Sequence, residues 1–321
     1  MTELQKPLAP KNAFSANRLI GVDDLSDAEI YYLLDLAEYY AGFVDRSEPA
    51  PQILTGKTQI NLFFEDSTRT NLSFELAGKK LGTDVINVPV AASSLHKGES
   101  LVDTARTLAA MGADVMVVRA KEEGLHEQLS EILDCAIVNG GAGALEHPTQ
   151  ALLDAATITM EVGPLKDKTI AICGDVKHSR VASSDAQLFT RLGATVRFVG
   201  PAALMPSSNE FPDVERFKSL ATGLDNADIA MGLRMQFERM ADTDKIREAA
   251  KDYFNEFGLT HETMKHAKSG AKVMHPGPMN RGVEICGNLA DDRSVSLIEK
   301  QVFYGVAIRM AVLDALSAEE K

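Results

Sequence analysis

The stretch Gln59-Ile60-Asn61-Leu62-Phe63-Phe64-Glu65-Asp66-Ser67-Thr68-Arg69-Thr70 carries the transition on which the fold turns. An apolar run over 58–64 predicts a strand, and it breaks into three hydroxyls and an arginine that open a helix over 68–81. The first turn of a helix leaves several backbone N–H groups unpaired and carries the positive end of the macrodipole. An anion placed there is both hydrogen-bonded and electrostatically stabilised. Arg69 adds a planar fork of donors matched to phosphate oxygens. A Ser-Thr pair alone would read as a helix cap. Here the hydroxyl-Arg-hydroxyl cluster sits at the carboxyl end of a strand, where α/β sheets bind ligands, so it reads as a phosphate site.

Outward from this point β-rich and helical segments alternate. Strands are predicted over 84–88, 114–118 and 135–138, and helices over 100–111 and 124–132, the pattern of βαβ units and a parallel sheet. Upstream, Ser26-Asp27-Ala28-Glu29 before Ile30, Leu33, Leu34 and Leu36 is a capping box opening an amphipathic helix. Past a helix running from near His147 to Met160, a second series begins: strand 168–173, helix 181–192, strands 194–199 and 228–231, and a short strand at Val273-Met274. The expectation is an α/β chain of two doubly wound domains, each a parallel sheet flanked by helices and joined by interdomain helices. The boundaries expected are 1–148 and 149–295, with a final helix in 296–321 packing back on the first domain.

Composition narrows the chemistry. The 45% apolar and 25% charged content is that of a globular protein, and no apolar run approaches the roughly 18 residues of a transmembrane span. With no signal-peptide core in its first residues, the chain is expected to be cytoplasmic. Cys135, Cys173 and Cys286 are far apart, which suits reduced thiols and neither a disulfide framework nor a zinc site. A net charge of −13 lacks the basic footprint that nucleic acid requires. A chain so acidic that binds small anions must gather its arginines into one cleft.

Further candidates lie at other strand ends. The loop Ser93-Ser94-Leu95-His96-Lys97-Gly98-Glu99 can deliver Lys97 as a point charge, and Arg119 ends the strand 114–118 on the same sheet edge as Ser67. The glycine-rich Asn139-Gly140-Gly141-Ala142-Gly143 leads into His147-Pro148-Thr149-Gln150, where Pro148 suits a first turn and His147 and Gln150 share a face. In the second series, Gly174-Asp175-Val176-Lys177-His178-Ser179-Arg180 follows a strand but lacks the Gly-x-Gly-x-x-Gly spacing, which makes a nicotinamide or flavin enzyme the weaker reading. Arg180 and Arg234, the latter in Arg234-Met235-Gln236, suit two carboxylates of one substrate. There is no P-loop, no metal-ligand spacing and no serine nucleophile elbow, so neither metal nor cofactor is expected. What is left is a set of anion binders working by orientation and charge stabilisation.

Together Ser67-Thr68-Arg69-Thr70, His147-Pro148-Thr149-Gln150 with Leu153-Asp154, and His275-Pro276-Gly277-Pro278 resemble the aspartate/ornithine carbamoyltransferase family, in the expected order over nearly the whole chain. Where ornithine-specific members typically carry a Ser-Met-Gly motif, this chain has Arg234-Met235-Gln236, and an arginine would repel an ammonium acceptor but suit the side-chain carboxylate of aspartate. The resemblance implies carbamoyl transfer to L-aspartate in pyrimidine synthesis. It implies Ser67, Thr68, Arg69, Thr70 and Arg119 on carbamoyl phosphate, with Arg69, Thr70 and His147 polarising the carbonyl and Gln150 with the Pro276-Gly277 backbone holding the amide. Aspartate would dock on Arg180, Arg234 and Gln236, and domain closure on it would expel water. The amine proton passes to the departing phosphate or to a nearby group. Family members are trimers in which a serine and a lysine of the mobile loop reach the neighbouring site. Lys97 matches that lysine and Ser93 the serine, with Ser94 as the other candidate. Whether a regulatory or dihydroorotase-like chain joins the trimer is left open by these residues. The rival readings are a carbamoyltransferase for another amine and a non-catalytic anion binder of the same fold.

Overall fold

The strand that opens the phosphate motif, β2 (Thr58–Phe63), is buried along nearly its whole length, as a central strand of a parallel sheet must be. Its two buried polar side chains are absorbed internally. Gln59 donates to the Asn61 side chain at 2.8 Å and to the Phe74 carbonyl at 3.1 Å, and Asn61 donates to Asn87 at 2.8 Å. The computed structural model describes residues 5–11, 13–14, 17–45, 49–88, 98–143, 146–235 and 251–317. The chain divides into two units, Met1–Ala156 with Phe303–Lys321, and Thr157–Val302.

In the first unit β1 (Arg18–Leu19), β2, β3 (Asp84–Val88), β4 (Val115–Ala120) and β5 (Ala136–Ala142) form one sheet in the order β1-β5-β4-β2-β3, every pair parallel. Helices α1 (Asp27–Val44), α2 (Thr68–Leu81), α3 (Leu101–Ala109) and α4 (Leu125–Ile132) accompany it, and α5 (Pro148–Val162) begins in this unit and ends in the second. The capping box at Ser26 forms as expected, the hydroxyl accepting from the Glu29 N–H. Ile60, Leu62, Met116, Val118, Leu129 and Ile137 pack as one core cluster, each such side chain contributing roughly 2 kcal/mol by leaving water.

In the second unit the strands are β6 (Thr169–Cys173), β7 (Thr195–Val199), β8 (Glu215–Phe217), β9 (Ile229–Gly232) and β10 (Lys272–Met274). Their order is β10-β9-β6-β7-β8, again all parallel. Its helices are α6 (Arg180–Arg191), α7 (Leu220–Leu224), α8 over residues 251–257, and α9 (Gly287–Ala290). The last helix, α10 (Ile298–Ser317), begins in this unit and ends in the first. Within the first unit its residue Asp314 accepts from Tyr40 at 2.8 Å and pairs with Lys6 at 2.6 Å.

Two expectations at strand ends are corrected. Strand β5 runs on to Ala142, so Asn139, Gly140 and Gly141 are strand and not loop. The Asn139 side chain holds this extension, accepting from the Gly141 N–H and donating to the Ile20 carbonyl, both at 2.7 Å. A Cβ on Gly140 would lie 3.3 Å from both the Phe63 ring and the Val118 carbonyl, so a bare backbone suits the position. Strand β4 likewise continues past Val118 to Ala120, with a bulge between those residues, so Arg119 lies inside the strand.

Candidate active site

The order of strands fixes where ligands can be held. In the first unit the chain moves from β2 to β3 on one side, then returns to place β4 and β5 on the other. The reversal falls between β2 and β4, where Ser67 and Arg119 stand. In the second unit it falls between β6 and β9, whose following segments carry Arg180 and Arg234. Such reversals open a crevice at the carboxyl ends of parallel strands.

At the first reversal Ser67 precedes α2 in extended backbone, and its hydroxyl makes no capping bond. The first-turn N–H groups are therefore not taken by a cap, and no acidic side chain stands in that turn to compete for the helix end. Thr68 and Arg69 are exposed and Thr70 is buried. Desolvation pulls the Arg69 guanidinium below its ordinary value even though much of the residue is open to solvent. Arg119 lies at the bulge in β4, a feature that often re-aims a side chain. It donates to the Gly140 carbonyl at 3.1 Å and its Nε lies 3.7 Å from Glu65. On the next strand over, β5 leads to His147, whose carbonyl accepts from the N–H groups of Gln150 at 2.9 Å and Ala151 at 3.2 Å, opening α5. His147 and Gln150 are both buried, and the Gln150 amide donates to Asp154 at 2.9 Å. Segments from the adjacent strands β2, β4 and β5 thus supply Ser67, Arg119, His147 and Gln150 to one edge of one sheet.

The second reversal is built alike. Gly174 has φ +135°, and a Cβ there would lie 2.7 Å from the Leu233 carbonyl. This close approach brings the segment before Arg180 against the one that carries Arg234. The Asp175 carboxylate accepts from His178 Nδ1 at 2.8 Å, and Ser179 caps α6 by accepting from the Ala182 N–H. Arg180 and Arg234 are half-buried.

After β10 comes His275-Pro276-Gly277-Pro278, held by a clamp that the motif alone does not reveal. The His275 Nδ1 accepts from the Gly277 N–H at 2.8 Å, so its proton is on Nε2, which donates to the buried Glu284 at 3.2 Å. The same carboxylate oxygen accepts from the Asn280 N–H. With the Gly277 N–H engaged and Pro276 lacking one, this loop can offer a ligand only carbonyl acceptors.

Ser93, Ser94, Lys97 and Gln236 lie outside the described residues. Glu65, Arg309 and Glu284 were given no functional role by sequence reasoning, and Asp154 entered only as part of a motif, without a role of its own. Asp154 sits four residues after Gln150 on a helix, a spacing visible in sequence, whereas the contacts of Arg309 and Glu284 leave no local trace. Among the described residues no cluster of His, Cys, Asp and Glu is arranged to hold a metal ion, and no helix is long and apolar enough to cross a membrane.

Comparison with known proteins covers both units. Residues 17–160 match the model of the aspartate/ornithine carbamoyltransferase carbamoyl-P binding domain, and residues 166–316 that of the Asp/Orn binding domain. The chain is 50% identical to an aspartate carbamoyltransferase catalytic subunit of Parvibaculum lavamentivorans over 99% of its own length and 96% of that protein. It is 52% identical to the same subunit of Azorhizobium caulinodans, over 96% and 95% of the two chains. The crystal structure of aspartate transcarbamoylase from Trypanosoma cruzi in complex with N-(phosphonacetyl)-L-aspartic acid superposes with a TM-score of 0.84 at 33% identity, over 98% of both chains. With the two motif-bearing switch points, both domain models and half-identical relatives of full length in agreement, the chain belongs to the aspartate/ornithine carbamoyltransferase family.

Proposed function

We propose that the chain transfers the carbamoyl group of carbamoyl phosphate to the amine of L-aspartate, giving N-carbamoyl-L-aspartate and phosphate in de novo pyrimidine biosynthesis. The observation that carries this reading is the pair of strand-order reversals. One is furnished for a phosphate beside a polarisable carbonyl, the other with two arginines for a dicarboxylate.

The phosphate occupies the first turn of α2, bonded by Ser67, Thr68, Arg69 and Thr70 and by Arg119. Arg69, Thr70 and His147 polarise the carbonyl as the aspartate amine attacks it. They are asked to stabilise the negative charge that develops on oxygen in the tetrahedral intermediate, a contribution worth roughly 10²–10³ in rate for one such donor. Gln150 accepts from the carbamoyl amide, and the carbonyls of Pro276 and Gly277 are the acceptors this reading reserves for the same group. Aspartate is held by Arg180, Arg234 and Gln236, with Lys97 bridging the two reactants. Collapse of the intermediate breaks the carbon–oxygen bond to phosphate, and the amine proton passes to the departing phosphate, directly or through a nearby group, so that it leaves as the hydrogen phosphate dianion.

The functional unit in this reading is a homotrimer in which Ser93 and Lys97 serve the neighbouring chain's site. An apolar surface beside the phosphate turn supports it. Leu72 and Leu76 on α2 and Ile86 on the edge strand β3 are 56%, 44% and 50% exposed, and Asn87 donating to Glu75 at 2.7 Å ties the two elements together. Exposed leucine and isoleucine gathered on a sheet edge are what a second copy would cover. The chain works in the cytoplasm, which its free Cys135, Cys173 and Cys286 suit.

N-(phosphonacetyl)-L-aspartate joins both reactants in one molecule and tests the assignment by calorimetry and inhibition. It is expected to bind one per chain, to compete with carbamoyl phosphate, and to lose most of its affinity in Arg69→Ala and in Arg234→Ala alike. Undiminished binding to Arg234→Ala would overturn the placing of the acceptor.

A further inference from the structure

A buried tier of charge lies directly behind Gln150. Asp154 is fully buried and one helical turn further along α5, where an i,i+4 pair shares a face. An ionised carboxylate can only accept, so the group of Gln150 that meets Asp154 Oδ2 at 2.9 Å is its NH₂, and the amide oxygen is the end turned away. Behind this pair stands Arg309 of α10, 3% exposed. Its Nη1 donates to the Gly305 carbonyl at 2.9 Å, its Nη2 reaches the Thr149 hydroxyl at 3.5 Å, and its guanidinium lies 5.0 Å from the centre of the Phe74 ring. Burial pulls this guanidinium down to about 10, and the charge of Asp154 pushes back.

We propose that Asp154 is a positioning residue that fixes the Gln150 amide with its oxygen toward the ligand, and so selects an acyl phosphate bearing NH₂ over one bearing a methyl group. The inference rests on the reading that Gln150 meets the carbamoyl amide. Carbamoyl phosphate and acetyl phosphate have nearly the same shape and differ in this one group. A carbamoyl NH₂ has only hydrogens to offer, so it gains from an amide oxygen and is repelled by an amide NH₂. A methyl group is indifferent to the hydrogen bond. The carboxylate is needed because an amide in its place could pair with Gln150 either way round. In Asp154→Asn the new side chain can turn its own NH₂ to Gln150, and the Gln150 amide then turns over to present NH₂ to the ligand.

The test compares the KM of carbamoyl phosphate with the inhibition constant of acetyl phosphate at saturating aspartate. For Asp154→Asn the KM is expected to rise roughly tenfold or more, the worth of one hydrogen bond to a buried group, while the constant for acetyl phosphate stays within about twofold. A merely structural lesion would raise both together and leave the preference unchanged, and that result would overturn the proposal. Gln150→Ala is expected to show the same selective loss, and the double variant to be no worse than Gln150→Ala alone, since both act through one amide. Losses that add would place the action of Asp154 elsewhere and also refute it. If Gln150→Ala itself keeps the full preference, the reading of Gln150 falls first, which separates that failure from a failure of Asp154. Should Asp154→Asn not fold, as its thermal midpoint will show, Asp154→Ser frees the amide without inverting it and is expected to lose part of the same preference; a full preference in that variant would contradict the proposal.

Discussion

In the proposed reaction Arg69 stands where charge is generated. It follows a helix start whose cap leaves the N–H donors open, and its surroundings already desolvate it. A cation in that position strengthens its hold as the carbonyl oxygen becomes an oxyanion, because the interaction grows with the charge. Arg69→Ala is therefore expected to lower kcat by two to three orders of magnitude, roughly the value of a lost oxyanion donor. Steady-state kinetics checks this, and a variant with normal kcat and only a raised KM would assign Arg69 to ground-state binding. Arg69, Arg119 and Arg234 could be found in the sequence because each follows or ends an apolar strand. The residues that orient others could not. Arg309 reaches Thr149 and Phe74 from a remote part of the chain, and Glu284 finds His275 only once the loop between them has closed.

At the scale of elements, the central strands and the helices behind them were legible because fully buried parallel strands write long β-branched and aliphatic runs between helical periods. Thus β2 and β6 come within one residue of the runs read as 58–64 and 168–173, and α2 has the bounds that periodicity gives, 68–81. Strands β1 and β8 are two and three residues long, too short to show a period. The tail of β5 was hidden by its glycines, which read as loop but hold strand geometry through Asn139. Gly174 is the opposite case, a glycine at the end of β6 that the geometry requires. Its φ of +135°, and the 2.7 Å that would separate a Cβ there from the Leu233 carbonyl, leave no room for a side chain. Gly174→Ala is expected to cost about 1–3 kcal/mol of stability and, by parting the segments of Arg180 and Arg234, to raise the KM for aspartate more than that for carbamoyl phosphate. Thermal denaturation and initial rates measure the two effects, and an unchanged ratio of the two KM values would show that the contact does not set the acceptor site.

The whole molecule carries a net charge of −13, yet its reactants are anions. Local arginines at two sheet edges overcome a field that repels at long range, a repulsion that salt screens beyond roughly 8 Å at physiological ionic strength. In the proposed homotrimer a shared site would add a further cation from a second chain. If Lys97 serves the neighbouring site, mixing inactive Lys97→Ala chains with inactive Arg180→Ala chains after subunit exchange is expected to restore part of the activity, since some sites in each hybrid trimer combine two intact contributions. No recovery after exchange has been verified by mass would remove the shared site.

The central claim is that arginines in the second unit choose aspartate as acceptor for a carbamoyl group activated in the first. Radiolabelled carbamoyl phosphate, presented to the purified chain with aspartate, ornithine, acetylornithine and putrescine in parallel, tests it most directly. Labelled carbamoyl aspartate, with no product from the three amines that lack its paired carboxylates, is the result expected; labelled product from ornithine, acetylornithine or putrescine in preference to aspartate would contradict it.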